Sequence, residues 1–133
     1  IFIFFISSAI FISASRLNII FLISYSFCII TYYKYHPGRY LLAFLPKSSE
    51  KNEHSSTCVH TPDGKDVLFK QIAGTFARRI VSYSNVGDHV LSGDQCGIIK
   101  FGSRLDIFLP LDADVKVNVG DKVRACVSVI AEI

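Results

Sequence analysis

Methionine and tryptophan are both missing from this 133-residue chain, and only 19% of its residues are charged. A chain that opens at Ile1 without any methionine is expected to be a fragment lacking its true start. Half of the residues are apolar, which excludes disorder and collagen-like structure. The formal net charge is +3, too small and too scattered to recruit nucleic acid. Such a balance tolerates an anionic membrane surface or a phosphate-bearing ligand without requiring either. Close cysteine pairs are lacking too. Cys28, Cys58, Cys96 and Cys126 form no Cys-x-x-Cys step, so structural zinc has no ligand pair to start from. Free, buried thiols are expected rather than a disulfide framework. The length suits a single domain over residues 1–133.

Charge is unevenly spread. Residues 1–30 hold one charged side chain, Arg16, between the uncharged stretches Ile1–Ser15 and Leu17–Tyr33. Each stretch falls short of the roughly 20 residues that a membrane-spanning helix needs. Both are rich in Ile and Phe, which suit strands at least as well as helices. No basic leader or small-residue cleavage site marks a secretory signal. A buried sheet is the favoured reading of this divergent front, with a membrane-embedded segment as the other.

Thr31–Leu45, TYYKYHPGRYLLAFL, predicts strand, tight turn, strand. Pro37-Gly38 makes the turn, because proline presets φ and glycine tolerates a positive φ. A second turn is expected at Pro62-Asp63-Gly64, following a short strand over Ser55–His60. Gly74 argues against a long helix between Val67 and Tyr83. Further on, Asn85-Val86-Gly87-Asp88-His89-Val90 recurs as Asn118-Val119-Gly120-Asp121-Lys122-Val123. Gly-Asp between valines marks a tight turn joining short strands. Leu105, Ile107 and Leu109 alternate with Arg104, Asp106 and Phe108, and Val115, Val117 and Val119 with Lys116 and Asn118. Period-two alternation means half-buried strands. The fold expected is mainly β: a small β-sandwich or barrel-sandwich-like domain with two related Gly-Asp hairpin halves. That shape is similar to biotinyl and lipoyl carrier domains, whose modified lysine usually sits beside methionine. Here methionine is lacking and Lys100 precedes a Gly-Ser step, so a carrier role is set aside.

The segment with most chemistry is Gly97-Ile98-Ile99-Lys100-Phe101-Gly102-Ser103-Arg104-Leu105-Asp106. By pattern alone Gly102-Ser103 is a bulge or turn between strands. Another outcome is open to such a bond. Glycine has no Cβ, so the serine hydroxyl can approach the preceding carbonyl and, in a strained and dry turn, convert the amide to an ester.

Three stretches, YYKYHPGRYLLAFLPKSSEKNEHSST, GKDVLFKQIAGTFARRIVSY and IIKFGSRLDIFLPLDADVKVNVGDKV, resemble the phosphatidylserine decarboxylase family in its short bacterial and archaeal form. The resemblance covers about residues 31–133 in order. It implies a proenzyme that cuts itself at Gly102-Ser103, giving a β-chain of residues 1–102 and an α-chain of 103–133. It further implies that Ser103 becomes a pyruvoyl group, so that neither pyridoxal phosphate nor a metal is expected. That group takes up the substrate amine and serves as electron sink when CO2 leaves. The implied substrate is a phospholipid, phosphatidylserine or archaetidylserine. The implied setting is a membrane surface on the cytoplasmic side, with no nucleic-acid partner. The cleaved chains are expected to stay associated, and exposed edge strands make a dimer plausible.

Asn52-Glu53-His54 is similar to the family's Asn-Glu-Arg, with histidine in place of arginine, and reads as active-site support or as a polar loop cap. Arg78 and Arg79 are candidates for a lipid phosphate, or else a solvated basic pair. His36 matches the family within Tyr-His-Pro-Gly, where a structural role is simplest. His60 and His89 read as surface residues. The departure lies upstream. Ile20 stands where the family has a histidine that assists cleavage and moves protons, and isoleucine can do neither. The Ala-Asp-Gly segment that orients that histidine is not seen in this sequence. Slow or absent self-processing is therefore expected, and the alternative is an inactive truncated member or a membrane-attached β-module without catalysis.

Overall fold

A computed structural model describes residues 3–6, 17–20, 27–42, 45–76, 79–91, 94–99, 104–123 and 127–133. Its elements are β1 (Ile3–Ile6), β2 (Leu17–Ile20), β3 (Cys28–His36), α1 (Ser48–Lys51), β4 (His54–His60), β5 (Asp66–Ile72), β6 (Ile80–Ser82), β7 (His89–Val90), β8 (Gln95–Ile99), β9 (Arg104–Phe108), β10 (Asp114–Val115) and β11 (Ala131–Glu132). With 47% strand and 4% helix among the described residues, the domain is mainly β as expected.

Six strands form one antiparallel sheet in the order β1-β9-β5-β4-β3-β7. A three-stranded sheet runs β2-β8-β6, and β10 pairs with β11. The apolar front thus enters both larger sheets: β1 pairs with β9, and β2 with β8. Among the described residues no helix is long and apolar enough to cross a membrane.

The core lies between the sheets. Val59, Val67 and Phe69 point inward from β4 and β5, and meet Ile30, Cys28, Val90, Cys96 and Ile99, with Leu105, Ile107 and Leu109 packed alongside. Strand periodicity explains the set, since alternate residues of β5 and β9 share this face. The opposite face is also covered. On β9, Arg104 and Asp106 are buried as well, because α1 and the segment leading into it lie over them.

One of the expected turns differs from the sequence reading. After Pro37 the described residues form no second strand: Arg39 makes one isolated parallel bridge to Asn52. Gly38 has no positive φ; a Cβ there would stand 2.4 Å from the Asn52 carbonyl carbon and 2.5 Å from the Glu53 nitrogen. Close backbone passage, rather than turn geometry, is what demands glycine. The Gly-Asp repeat behaves as anticipated at the turn itself. Gly87 and Gly120 have φ of 94° and 95°, and Asp88 and Asp121 each accept a 2.7 Å bond from the backbone of Asn85 and Asn118. Around the second copy, however, the strands shrink to the two-residue pair β10–β11.

Candidate active site

Strand register assembles the site. His36 on β3 pairs with His54 on β4, His54 with Ile72 on β5, and Ile72 with Arg104 on β9, so four side chains line one rung of the sheet. Arg104 is the residue that follows Ser103. Gly102 and Ser103 themselves lie outside the described residues, as does Arg78. The chain nonetheless changes sheets between Ile99, the last residue of β8, and Arg104, the first of β9, and both ends are buried.

Arg104 and Asp106 face the same side of β9 and form an ion pair almost sealed from water, their side chains 3% and 0% exposed. Arg104 Nε donates to Asp106 Oδ1 at 2.5 Å and its second terminal nitrogen to Oδ2 at 3.2 Å. The Ser49 hydroxyl donates to Oδ2 at 2.6 Å, and Arg104 also donates to the Leu45 carbonyl at 3.2 Å. With both oxygens engaged by donors, Asp106 is a fastener rather than a base. Sequence alternation had assigned these two residues to a polar face; only tertiary cover makes them buried.

Asn52 and Glu53 come together at the start of β4. Asn52 is buried, and its amide is fully used: it accepts from the Leu41 nitrogen at 2.9 Å and donates to the Leu41 and Ala73 carbonyls at 2.8 Å each. Both N–H groups of that side chain are used, and Asn52 stitches three backbone segments together. Glu53 accepts a 2.5 Å bond from the Tyr40 hydroxyl. Its negative charge also helps push the Tyr35 phenol up, after desolvation.

His54 is buried, and its Nδ1 stands 2.8 Å from the Asn52 carbonyl, which fixes Nδ1 as the protonated nitrogen of the neutral ring. The His36 ring stacks on it with centroids 4.4 Å apart and planes 14° apart. Desolvation first, then the positive fields of His54, Lys34 and Lys70, lower the His36 pKa. These histidines stand two and three strand spacings from Arg104 along the rung, on the order of 10 and 15 Å. Arg79 is exposed ahead of β6, and no described contact brings it to Asn52 or Glu53. His60 pairs with Asp66 at 2.7 Å, and His89 is exposed beside the Phe27 ring.

On the core side, the Ser55 hydroxyl donates to Gln71 Oε1 at 2.8 Å. Gln71 is 1% exposed, yet its Nε2 has no hydrogen-bond partner. Neither Gln71 nor Ser55 stood out in the sequence, where each is one polar residue within a strand. Cys28 and Cys96 are buried free thiols and Cys58 is half-buried; Cys126 is outside the described residues. Burial pushes the Cys96 thiol up to about 12. Among the described residues no group of three or more His, Cys, Asp or Glu could hold a metal. An open apolar groove of about 460 Å³, lined by Leu68, Phe108, Leu109 and Pro110, lies four residues along β5 from the Ile72–Arg104 rung.

Comparison with known proteins gives this geometry a context. The family model described as phosphatidylserine decarboxylase matches residues 9–131. The chain is 59% identical over 105 residues to a phosphatidylserine decarboxylase proenzyme of Amoebophilus asiaticus, covering 79% of this chain and 47% of that protein. A proenzyme of the same name from Cytophaga hutchinsonii is 48% identical over 104 residues, covering 78% and 47%. One from Bacteroides thetaiotaomicron is 46% identical over 99 residues, covering 74% and 43%. The chain spans about half the length of these curated relatives. No solved structure matches.

Proposed function

Because the chain belongs to the phosphatidylserine decarboxylase family, we propose that it carries the self-processing centre of a pyruvoyl-dependent phospholipid decarboxylase, opened at Gly102-Ser103. The observation that carries this reading is the family match across residues 9–131, which includes an intact Gly102-Ser103 between the buried residues Ile99 and Arg104.

The first step draws on Gly102 and Ser103 of this chain. Ser103 Oγ adds to the Gly102 carbonyl carbon, the C–N bond breaks, and the hydroxyl proton ends on the freed nitrogen of residue 103. A base then removes the Cα proton of residue 103, the Cβ–O bond breaks, and Gly102 leaves as a carboxylate. The unsaturated residue left at 103 takes up water and releases ammonia, giving pyruvoyl. Buried neighbours on both sides suit this chemistry, since a dry site protects the ester from premature hydrolysis. When formed, the pyruvoyl group supplies an electron sink for decarboxylation of a serine phospholipid to its ethanolamine counterpart.

The remaining residues position. Arg104, tied to Asp106 and Leu45, holds the first strand residue after the cut. Asn52 and Glu53 brace the segments beside Ile72, and His36 supports His54 by stacking. Arg78 and Arg79 are offered to the lipid phosphate. Exposed Tyr40, Leu42, Leu45 and Phe76 support work at a membrane surface, on its cytoplasmic side. A second reading, family fold without catalysis, is favoured by Ile20 on β2 in place of the family's histidine.

Intact mass spectrometry of the purified chain after incubation, beside Ser103→Ala, decides between them. The wild-type chain is expected to cut slowly or not at all, and Ile20→His to give two pieces divided between residues 102 and 103, the second capped by pyruvoyl. A single uncut mass, persisting in Ile20→His, overturns the enzymatic reading.

A further inference from the structure

We infer that the face of the six-stranded sheet that carries α1 binds one anionic lipid, its phosphate between Lys34 and Lys70 and its acyl chain in the groove over Leu68 and Phe108. The inference rests on the phospholipid reading above and adds to it a face and an orientation; the binding itself requires no cut.

Strand register sorts this face by chemistry. Paired residues of neighbouring strands point the same way, and every second residue returns to the same side. One rung reads Tyr32, Cys58, Leu68, Phe108 and is largely apolar from β3 to β9. The next reads Lys34, Ser56, Lys70, Asp106, so two ammonium groups flank one small side chain. The rungs lie about 7 Å apart, and the two lysines start about 10 Å apart, within reach of a single phosphate. Lys70 joins the rungs. Its Nζ stands over the Phe108 ring, 5.7 Å from the centroid, beside the groove of about 460 Å³ that Phe108 helps to line.

Charge decides the occupant. All 11 Asp and Glu residues of the chain are among the described residues, and none of them forms an ion pair with Lys34 or Lys70. Asp106, the acid nearest by register, is taken up by Arg104 and Ser49. Of the charged residues lining the groove, Lys65 pairs with Asp112 and Asp66 with His60. The lysine rung therefore keeps uncompensated positive charge, and its field extends to the His36 ring. A cationic rung beside an apolar groove matches a molecule with a phosphate at one end and a hydrocarbon chain next to it. A free phosphate would leave the groove empty, and a neutral apolar ligand would leave the lysines unanswered.

The probe is dodecyl phosphate below its micelle-forming concentration, titrated calorimetrically into the intact wild-type chain beside inorganic phosphate and dodecyl maltoside. Dodecyl phosphate is expected to bind at least roughly 10-fold more tightly than either. Lys34→Gln/Lys70→Gln should weaken it roughly 10-fold or more, and Leu68→Gln by a similar factor, each variant checked as folded by thermal unfolding. A second readout needs no variant. Cys58 lines the groove, so saturating dodecyl phosphate should slow its alkylation in the wild-type chain, while inorganic phosphate should not. Equal affinity for inorganic phosphate or for dodecyl maltoside overturns the inference. Wild-type affinity in the folded lysine variant, or an unprotected Cys58, does the same. Ser103→Ala should bind as wild type does. A chain that binds but never cuts overturns the processing reading alone, and one that cuts but does not bind overturns only this inference.

Discussion

Arg104 and Asp106 illustrate how a single pair can matter more by its absence than by its presence. A buried ion pair gains little over well-packed apolar residues, because both charges are stripped of water. Removing one partner is different, since the other charge is stranded. Asp106→Asn should therefore cost about 3–5 kcal/mol, whereas Arg104→Met/Asp106→Leu should come close to wild type. Urea unfolding reads both, as a shifted midpoint at constant slope. Equal losses in the two variants would mean that the Ser49 and Leu45 contacts, not charge, set the stability. The thiols respond on the same scale. With its pKa raised to about 12, Cys96 should resist alkylation at neutral pH in the folded protein, while half-buried Cys58 reacts before Cys28 and Cys96 by peptide mapping.

Elements are held here by backbone approach as much as by ladders. In segment 39–41 the backbone pairs only through the Arg39 bridge to segment 51–53, and the Asn52 side chain extends it by bonding both the nitrogen and the carbonyl of Leu41. Gly38→Ala should force that segment away from Asn52 and Glu53 and destabilise the fold by about 1–3 kcal/mol. Gly64→Ala, at φ +85° with open space around it, should cost only the backbone strain of about 1–2 kcal/mol. The β4–β5 hairpin was legible in the sequence because Pro62-Asp63-Gly64 is local turn chemistry, and β9 because Leu105, Ile107 and Leu109 alternate. Val115–Val119 alternates just as well but pairs only over Asp114–Val115, since its partner β11 is two residues long. Gly102-Ser103 is singled out by family resemblance alone, and its cleavage is the proposal made above. Gln71, Ser55 and the buried state of Arg104 and Asp106 were not legible, because each depends on which distant segment covers a face.

Across the whole molecule, the His36–His54 stack couples stability to acidity. The folded state holds the His36 pKa below its ordinary 6.5, so on acidification the unfolded chain takes up the proton first. Stability should be level above about pH 6.5 and fall as pH drops through the window between the two values. Lys34 and Lys70 add to the same sign, and His36→Gln should flatten the profile measured by thermal unfolding. The sheet order has a consequence of another kind. Strand β9 lies inside the larger sheet, paired on one side with β1 and on the other with β5. Opening the chain just before it, as proposed, would leave an insert gripped by two neighbours, and the halves are expected to stay joined while folded. Once melted, they must find each other by diffusion. A fold that re-forms at a rate independent of concentration before the cut becomes second order after it, and its melting temperature comes to depend on protein concentration. The proposed cut would turn a reversible single chain into an assembly made once, so the expected order of events is to fold first and then cut.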